Sequence, residues 1–126
     1  MALRISIGPL DRKFSLYIRE RAKWRCERCF RQFTPPTNAL HCAHIFSRSR
    51  KNTRWDDLNA VSTCYGCHSY LDRNPLEKYD WYIKKFGQKQ FDALRLRTNM
   101  AEKVDLKAIE IWLKAKIKAL EEKQNG

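Results

Sequence analysis

Two cysteine pairs constrain the fold of this chain more than any other feature. Each pair has two residues between its cysteines: Cys26 with Cys29, and Cys64 with Cys67. Zinc prefers tetrahedral coordination by thiolates, and both sulfurs of such a turn can reach one metal ion. Two turns supply four ligands and leave no coordination position open. The sequence therefore predicts one closed, structural zinc site.

Other uses of the cysteines stay open. An iron–sulfur cluster also takes four thiolates, and two separate pairs can be redox-active or simply buried. The chain has five cysteines, which leaves Cys42 outside the pairs. We expect Cys42 to be a small buried residue on a strand rather than a fifth ligand.

The charge of the chain indicates its partner. The 126 residues include 26 Lys and Arg against 14 Asp and Glu, which gives a formal net charge of +12. A surplus of this size favours a polyanionic partner, most often nucleic acid, although it can also serve solubility alone. The start of the chain, 1–10, is a poor signal peptide, and no stretch has the ~20 apolar residues of a membrane span. We therefore expect no membrane partner and a cytoplasmic location, where metal binding is favoured over disulfides.

The pattern of apolar residues predicts an α+β chain with a zinc-stapled core and flanking helices. We expect a single domain over 1–126, with the core at 24–73 and a helical extension at 74–126. Asp11 is predicted to cap the first helix, and Asn74 with Glu77 to form a capping box. The predicted elements are a helix at 11–23, strands at 39–46 and 58–63, a loop at 47–52, and helices from 68, over 75–86, over 90–98 and after Asp105.

The last predicted helix carries an apolar stripe. Its members, spaced at helical intervals, are Leu106, Ile109, Leu113, Ile117 and Leu120. A stripe of this kind buries itself against another element. It can pack on the core of the same chain or pair with a second copy, so a homodimer is among the expected assemblies.

All three histidines of the chain lie close to the cysteine pairs. His41 and His44 lie between the two pairs, and His68 directly follows the second. If the two predicted strands pair and the next helix packs beneath them, His44 and His68 can face each other across a shallow groove. A divalent metal and a neutral imidazole in such a groove can act on a phosphodiester. The simpler interpretation is that His44 is a core histidine.

The predicted loop after the first strand is strongly basic. Its cations are Arg48, Arg50 and Lys51, and Arg54 follows close behind them. Arginine can bind a phosphate through two parallel hydrogen bonds, so we expect this loop to contact DNA. The alternative is an ordinary solvated surface.

Several of these motifs together resemble a known nuclease family. The set Cys26-x2-Cys29, His41-Cys42-Ala43-His44-Ile45, Asn59 and Cys64-x2-Cys67-His68 is similar to the HNH endonucleases, whose core is the ββα-metal fold. The variant with four cysteines resembles phage recombination nucleases of the Rap and endonuclease VII type. The resemblance covers 24–71. It implies a metal-dependent endonuclease that hydrolyses phosphodiester bonds of duplex DNA or of branched recombination intermediates, in the host cytoplasm if the chain is phage-encoded.

The resemblance also implies roles for individual residues. His44 corresponds to the general base, and His68 to a ligand of the catalytic Mg²⁺ or Mn²⁺. Asn59 corresponds to the family asparagine that ties down the loop and orients the base. His41 resembles an upstream histidine of the endonuclease VII type.

At one position the chain departs from the family. Ala43 stands where the family usually has a second metal ligand, Asp or His, and alanine cannot ligate. His41, Asp56 and Asp57 are the alternative ligands. The missing ligand favours the competing interpretation, a non-catalytic zinc-stabilised module that only binds nucleic acid. A redox protein that uses its cysteine pairs is a third interpretation.

Overall fold

A two-stranded antiparallel sheet lies at the centre of the fold. In the computed structural model, which describes residues 8–125 and their side chains to 123, β1 (Leu40–His44) pairs with β2 (Ala60–Cys64). His41 lies opposite Thr63, and His44 lies opposite Ala60. Both strands are shorter than predicted, because the chain leaves β1 for a loop that Asn59 anchors.

Six helices surround this sheet within the described residues. They are α1 (Pro9–Arg21), α2 (Lys51–Arg54), α3 (Tyr65–Arg73), α4 (Pro75–Phe86), α5 (Gln88–Thr98) and α6 (Leu106–Asn125). The predicted α+β class is confirmed. The division into a core at 24–73 and an extension at 74–126 stays a prediction.

Four helix starts differ from the predictions, and the smallest difference is at α5, which begins at Gln88 rather than Gln90. The first helix begins at Pro9 rather than Asp11, whose carboxylate accepts a hydrogen bond from the N–H of Gly8 at 3.0 Å. A short helix, α2, occupies the end of the predicted basic loop. The third helix begins inside the second cysteine pair, where the sulfur of Cys64 caps it by accepting from the N–H of Cys67 at 3.5 Å.

The predicted capping box at the start of α4 is wrong. Asn74 occupies the capping position, but its side-chain amide donates to the carbonyl of Tyr70 at 2.8 Å. Glu77 accepts from the hydroxyl of Tyr70. Both side chains thus connect α4 to α3, because α3 ends only one residue before α4 begins.

The start of α6 and its apolar stripe follow the predictions more closely. The carboxylate of Asp105 accepts from the N–H of Ala108 at 3.0 Å and caps the helix. Leu113 of the stripe is fully buried against α1, where it packs with Phe14 and Ile18, whereas Leu106 is 54% exposed. The stripe therefore packs on the same chain over most of its length.

Two apolar clusters hold the sheet between helices. One joins Ala43 and Val61 of the strands to Tyr82, Phe91 and Leu94 of α4 and α5. The other joins Ala60 to residues of α1 and α6. Burial of this kind contributes roughly 25 cal/mol for each Å² of apolar surface removed from water. The sheet is thereby fixed in place, and so are the side chains that β1 carries.

Candidate functional site

The four paired cysteines converge on one point. Their sulfur atoms all lie within 4.8 Å of one another, and the sulfurs of Cys29 and Cys64 are 3.8 Å apart. In a tetrahedral zinc site with bonds of about 2.3 Å, neighbouring sulfurs are separated by about 3.8 Å. The donor set fits a structural metal ion such as zinc. Cys42 lies on β1, outside this cluster.

Hydrogen bonds to the sulfurs favour their charged form. The N–H of Cys29 donates to the sulfur of Cys26 at 3.4 Å, and the guanidinium of Arg28 donates to that of Cys67 at 3.4 Å. Burial opposes ionisation of Cys26, but the surrounding backbone N–H donors outweigh it and lower the pKa to about 7. Burial raises the pKa of Cys67 to about 12 despite Arg28. A bound cation would favour the thiolate form of Cys67.

Two hydrogen bonds of Glu27 fix the first cysteine turn to the sheet. The N–H of Glu27 donates to the carbonyl of Ser62 at 2.7 Å, and the carboxylate of Glu27 accepts from the N–H of Ser62 at 2.7 Å. The two cysteine turns are thus held together by the protein as well as by the metal they can bind. This use of Glu27 has no signal in the sequence.

A groove beside the sheet brings two of the histidines together. It has a volume of about 430 Å³ and is lined by His44 of β1 and His68 of α3, with Arg48, Asp72 and Lys78 among its other walls. This is the juxtaposition expected from the sequence. The groove lies next to the cysteine cluster, since its residue His68 directly follows Cys67 on α3.

The environment of His44 determines which of its nitrogens can act as a base. Nε2 lies 2.9 Å from the carbonyl of Arg54 and must donate to it, so the lone pair of the neutral ring lies on Nδ1. Burial lowers the pKa of His44 to about 4, and the positive charge of Arg48 adds to this. The ring is therefore neutral at pH 7 and can accept a proton.

His41 and His68 contact each other through one nitrogen of each ring. Their Nδ1 atoms are 3.0 Å apart. Nε2 of His41 faces the carbonyl of Asn38 at 3.0 Å, and Nε2 of His68 faces the carboxylate of Asp72 at 3.1 Å. Both Nε2 atoms must donate to these acceptors, so in the neutral rings both Nδ1 atoms carry lone pairs. Two lone pairs at this distance repel unless a proton or a metal ion lies between them.

A chain of contacts links His68 back to His44. The carboxylate of Asp72 accepts from Nζ of Lys78 at 3.2 Å, and Nζ of Lys78 also donates to the carbonyl of His44 at 3.3 Å. The side chain of Lys78 is only 12% exposed. Sequence reasoning missed both Asp72 and Lys78. Asp72 could have been found because it lies four residues after His68 on one helix face; Lys78 comes from another helix and left no signal.

Asn59 is fully buried and binds the loop between the strands. Its amide oxygen accepts from the N–H of Phe46 at 2.8 Å. Its amide nitrogen donates to the carbonyls of Phe46 at 3.0 Å and Thr53 at 2.9 Å. Asn59 thus holds the loop at Phe46 and at Thr53. The residue after Thr53 is Arg54, whose carbonyl accepts the hydrogen bond from His44.

The predicted DNA-contacting cations occupy different environments. Arg48 is half-buried and lines the groove, whereas Arg50 and Lys51 are exposed. The guanidinium of Arg54 forms two hydrogen bonds with the carboxylate of Asp11, at 2.9 and 2.7 Å, and its side chain is 12% exposed. This pairing holds α1 to α2, and Arg54 does not line the groove.

The two acidic residues considered as metal ligands also lie elsewhere. Asp56 pairs with Arg97 at 2.7 Å, and both Asp56 and Asp57 line a different cavity beside Trp112. Among the described residues, the four cysteines are the one group of three or more side chains placed to share a metal ion. His41 and His68 therefore form a two-residue donor pair.

Comparison with known proteins gives no relative, since the chain matches no protein family, no curated protein and no solved structure. Within residues 8–125, no helix combines the length and apolar character needed to cross a membrane. The fold and the site thus define an α+β protein with a four-cysteine centre suited to a structural metal ion and a histidine-lined groove beside it.

Proposed function

We propose that this protein is a metal-dependent endonuclease of the HNH type that hydrolyses DNA phosphodiester bonds. In this proposal β1, β2 and α3 form the ββα-metal core, and the four-cysteine zinc site is structural. The contact between Nδ1 of His41 and Nδ1 of His68, 3.0 Å apart, carries the proposal. Two ligands about 2.1 Å from an octahedral cation are separated by about 3.0 Å, and the expected ion, Mg²⁺ or Mn²⁺, is of this size.

This pairing addresses the residue that departs from the family pattern. Ala43 cannot bind a metal, but His41, two residues earlier on β1, reaches His68. Asp72 holds the tautomer of His68 that presents Nδ1, which is the role a carboxylate commonly has behind a metal-bound imidazole. The carbonyl of Asn38 holds His41 in the same way.

The groove residues supply the remaining chemistry. A divalent cation bound at this pair would neutralise phosphate charge and stabilise the leaving 3′ oxygen. Nδ1 of His44 takes a proton from the water that attacks phosphorus, because its ring is neutral at pH 7. Arg48 binds a phosphate oxygen at the wall of the groove.

The proposed DNA-contacting set is narrower than the basic loop. Arg48, Arg50 and Lys51 belong to it. Arg54 is assigned a structural role, since a contact with phosphate would break its pairing with Asp11. The net charge of +12 supports binding to duplex or branched DNA.

A plasmid-nicking assay tests the proposal. We expect the protein to nick supercoiled plasmid with Mg²⁺ or Mn²⁺ and to leave it intact without added divalent cation. His44→Ala should lower the nicking rate at least 100-fold, as expected for loss of a general base. Gel shift at the same protein concentration should show unchanged plasmid binding.

The competing function is a zinc-stabilised module that binds nucleic acid without cutting it. Ala43 is the observation that favours it, because it removes a ligand from the expected position. If wild-type protein and His44→Ala both bind plasmid and both leave it intact with every cation, the endonuclease proposal is wrong and the binding module is supported.

A further inference from the structure

A second cavity continues the histidine groove toward α1. It has a volume of about 310 Å³ and is lined on the α1 side by Arg12, Ser15 and Arg19. Its opposite wall consists of Cys42, His44 and Arg48. The same three residues also line the histidine groove. The two cavities therefore adjoin at these three residues, and we refer to the two together as the channel.

The α1 wall of this channel is built from one helix face. Arg12, Ser15 and Arg19 are spaced three and four residues apart, so they lie above one another along about 10.5 Å of helix axis. We call these three residues the α1 arginine face. This length is enough to contact two neighbouring phosphates of one DNA strand.

The side chains of the channel are arranged to receive an anion. Arg19 is held in place, with Nε donating to the carbonyl of Ser15 at 3.2 Å and its guanidinium 5.0 Å from the ring centre of Trp24. Within residues 8–125, Arg48 has no hydrogen bond or ion pair, although it is half-buried. Asp11, the acidic residue at the edge of the cavity, is already bound by Arg54.

We propose that the α1 arginine face binds backbone phosphates of the strand whose phosphodiester lies between His44 and His68. Arg48, at the junction of the two cavities, contacts the phosphate between the two sites. This inference rests on the proposed function, and it assigns the DNA grip to a helix that precedes the cysteine frame. Contacts of this kind position a strand without reading its sequence.

Neighbouring residues of α1 provide a matched test. Arg12→Gln removes one charge from the channel, and Ser15→Glu places a negative charge in it. Lys13→Gln removes the same charge next to Arg12, but Lys13 lies outside the channel, 45% exposed and 4.0 Å from Glu110. Circular dichroism and zinc content should be the same for all three variants and the wild type.

Binding is measured by fluorescence anisotropy with a fluorescein-labelled duplex of about 30 base pairs and with a four-way junction, without added Mg²⁺ or Mn²⁺. Arg12→Gln should raise Kd roughly fivefold to tenfold at ~0.1 M salt and reduce the slope of log Kd against log salt by about 1. Ser15→Glu should raise Kd further. Lys13→Gln should stay within twofold of the wild type.

Uncharged phosphate analogues in the DNA then show which phosphates the α1 arginine face contacts. In the wild type, a methylphosphonate placed one to three nucleotides from the cut should weaken binding, and Arg12→Gln should abolish the effect of that substitution. The inference is overturned if Arg12→Gln and Lys13→Gln behave alike, or if the wild type binds neither DNA. If the wild type nicks plasmid but Arg12→Gln binds DNA as well as the wild type, the inference alone is rejected. If Arg12→Gln weakens DNA binding but the wild type does not nick, the inference is supported and the endonuclease proposal is rejected.

Discussion

At the scale of single residues, His44 combines burial with a fixed tautomer. Its Nε2 is bound by the Arg54 carbonyl, and Phe14 packs near the ring with centroids 5.9 Å apart. Protonation of this ring must occur beside the positive charges of Arg48 and Arg54, with Asp11 as the nearby acid that opposes them. The fold therefore disfavours protonation of His44.

We predict that His44 makes stability fall as the pH is lowered. Its pKa is about 4 in the fold and about 6.5 in an unfolded chain. Between these values the unfolded state binds more protons, so the free energy of unfolding decreases with decreasing pH. His44 should account for about 1 kcal/mol of the loss between pH 7.5 and 5.5. Urea unfolding of the wild type and His44→Gln, which retains an N–H donor, measures this difference; identical losses would contradict the prediction.

The sequence anticipated some residues of the site and not others, for a physical reason. His44 and His68 lie close to the cysteine pairs in the sequence, so they are brought together once the four cysteines converge. Lys78 reaches the groove from α4, and only tertiary packing determines that. Arg54 was assigned to DNA because its charge is visible in the sequence, whereas its pairing with Asp11, 43 positions away, is not.

At the scale of elements, α4 is connected to the groove by Lys78. The ammonium contacts both the carbonyl of His44 and the carboxylate behind His68. It thus links β1, α3 and α4 at one point. If the groove binds a metal ion, this helix sets the position of its ligand.

We predict that Lys78→Met weakens metal-dependent nicking more than DNA binding. Without the ammonium, Asp72 loses the contact that orients it toward His68. Loss of such a supporting contact typically costs 10- to 100-fold in activity or metal affinity. The nicking rate should fall by this factor and the half-saturating Mg²⁺ concentration should rise. Lys84→Met removes the same charge from the exposed face of α4, and an equal effect of that control would contradict the assignment.

Element boundaries were predictable where backbone signals are local. Asp105 caps α6 as predicted, because its carboxylate reaches an N–H three residues away. Asn74 and Glu77 were predicted to do the same for α4, but Tyr70 of the preceding helix competes for both. The start of α3 was missed because a cysteine sulfur serves as its cap.

At the scale of the whole molecule, α6 is joined to the rest of the chain through its contact with α1. Leu113 is fully buried in this contact, whereas Ile111 on the other side of the helix is 64% exposed. We predict that Leu113→Ala lowers the free energy of unfolding by about 2–5 kcal/mol. Ile111→Ala should change it by less than about 0.5 kcal/mol. Denaturant unfolding at several protein concentrations measures both, and a large concentration dependence would indicate that a second chain covers the stripe instead.

The four-cysteine centre joins the turn after α1 to the junction of β2 and α3, so its metal should stabilise the molecule as a whole. Cys67→Ser removes a buried ligand, and the remaining three thiols leave the site open. We expect wild-type protein to carry about one zinc ion per chain, and Cys67→Ser to lose zinc together with its near-ultraviolet circular dichroism.

Cys42→Ser provides the matched control for this prediction. It removes a thiol whose pKa burial raises to about 12, and which lies outside the cluster. Zinc content should therefore stay at about one ion per chain in this variant, with a loss of stability of no more than about 1 kcal/mol, because only one side of Cys42 packs against apolar residues. If Cys42→Ser loses zinc as completely as Cys67→Ser, or if the purified protein contains iron in place of zinc, the assignment of the four paired cysteines to a closed zinc site is wrong. Retention of zinc by Cys42→Ser and its loss from Cys67→Ser would distinguish the four cysteines that bind the metal from Cys42, which lies on β1 outside the site.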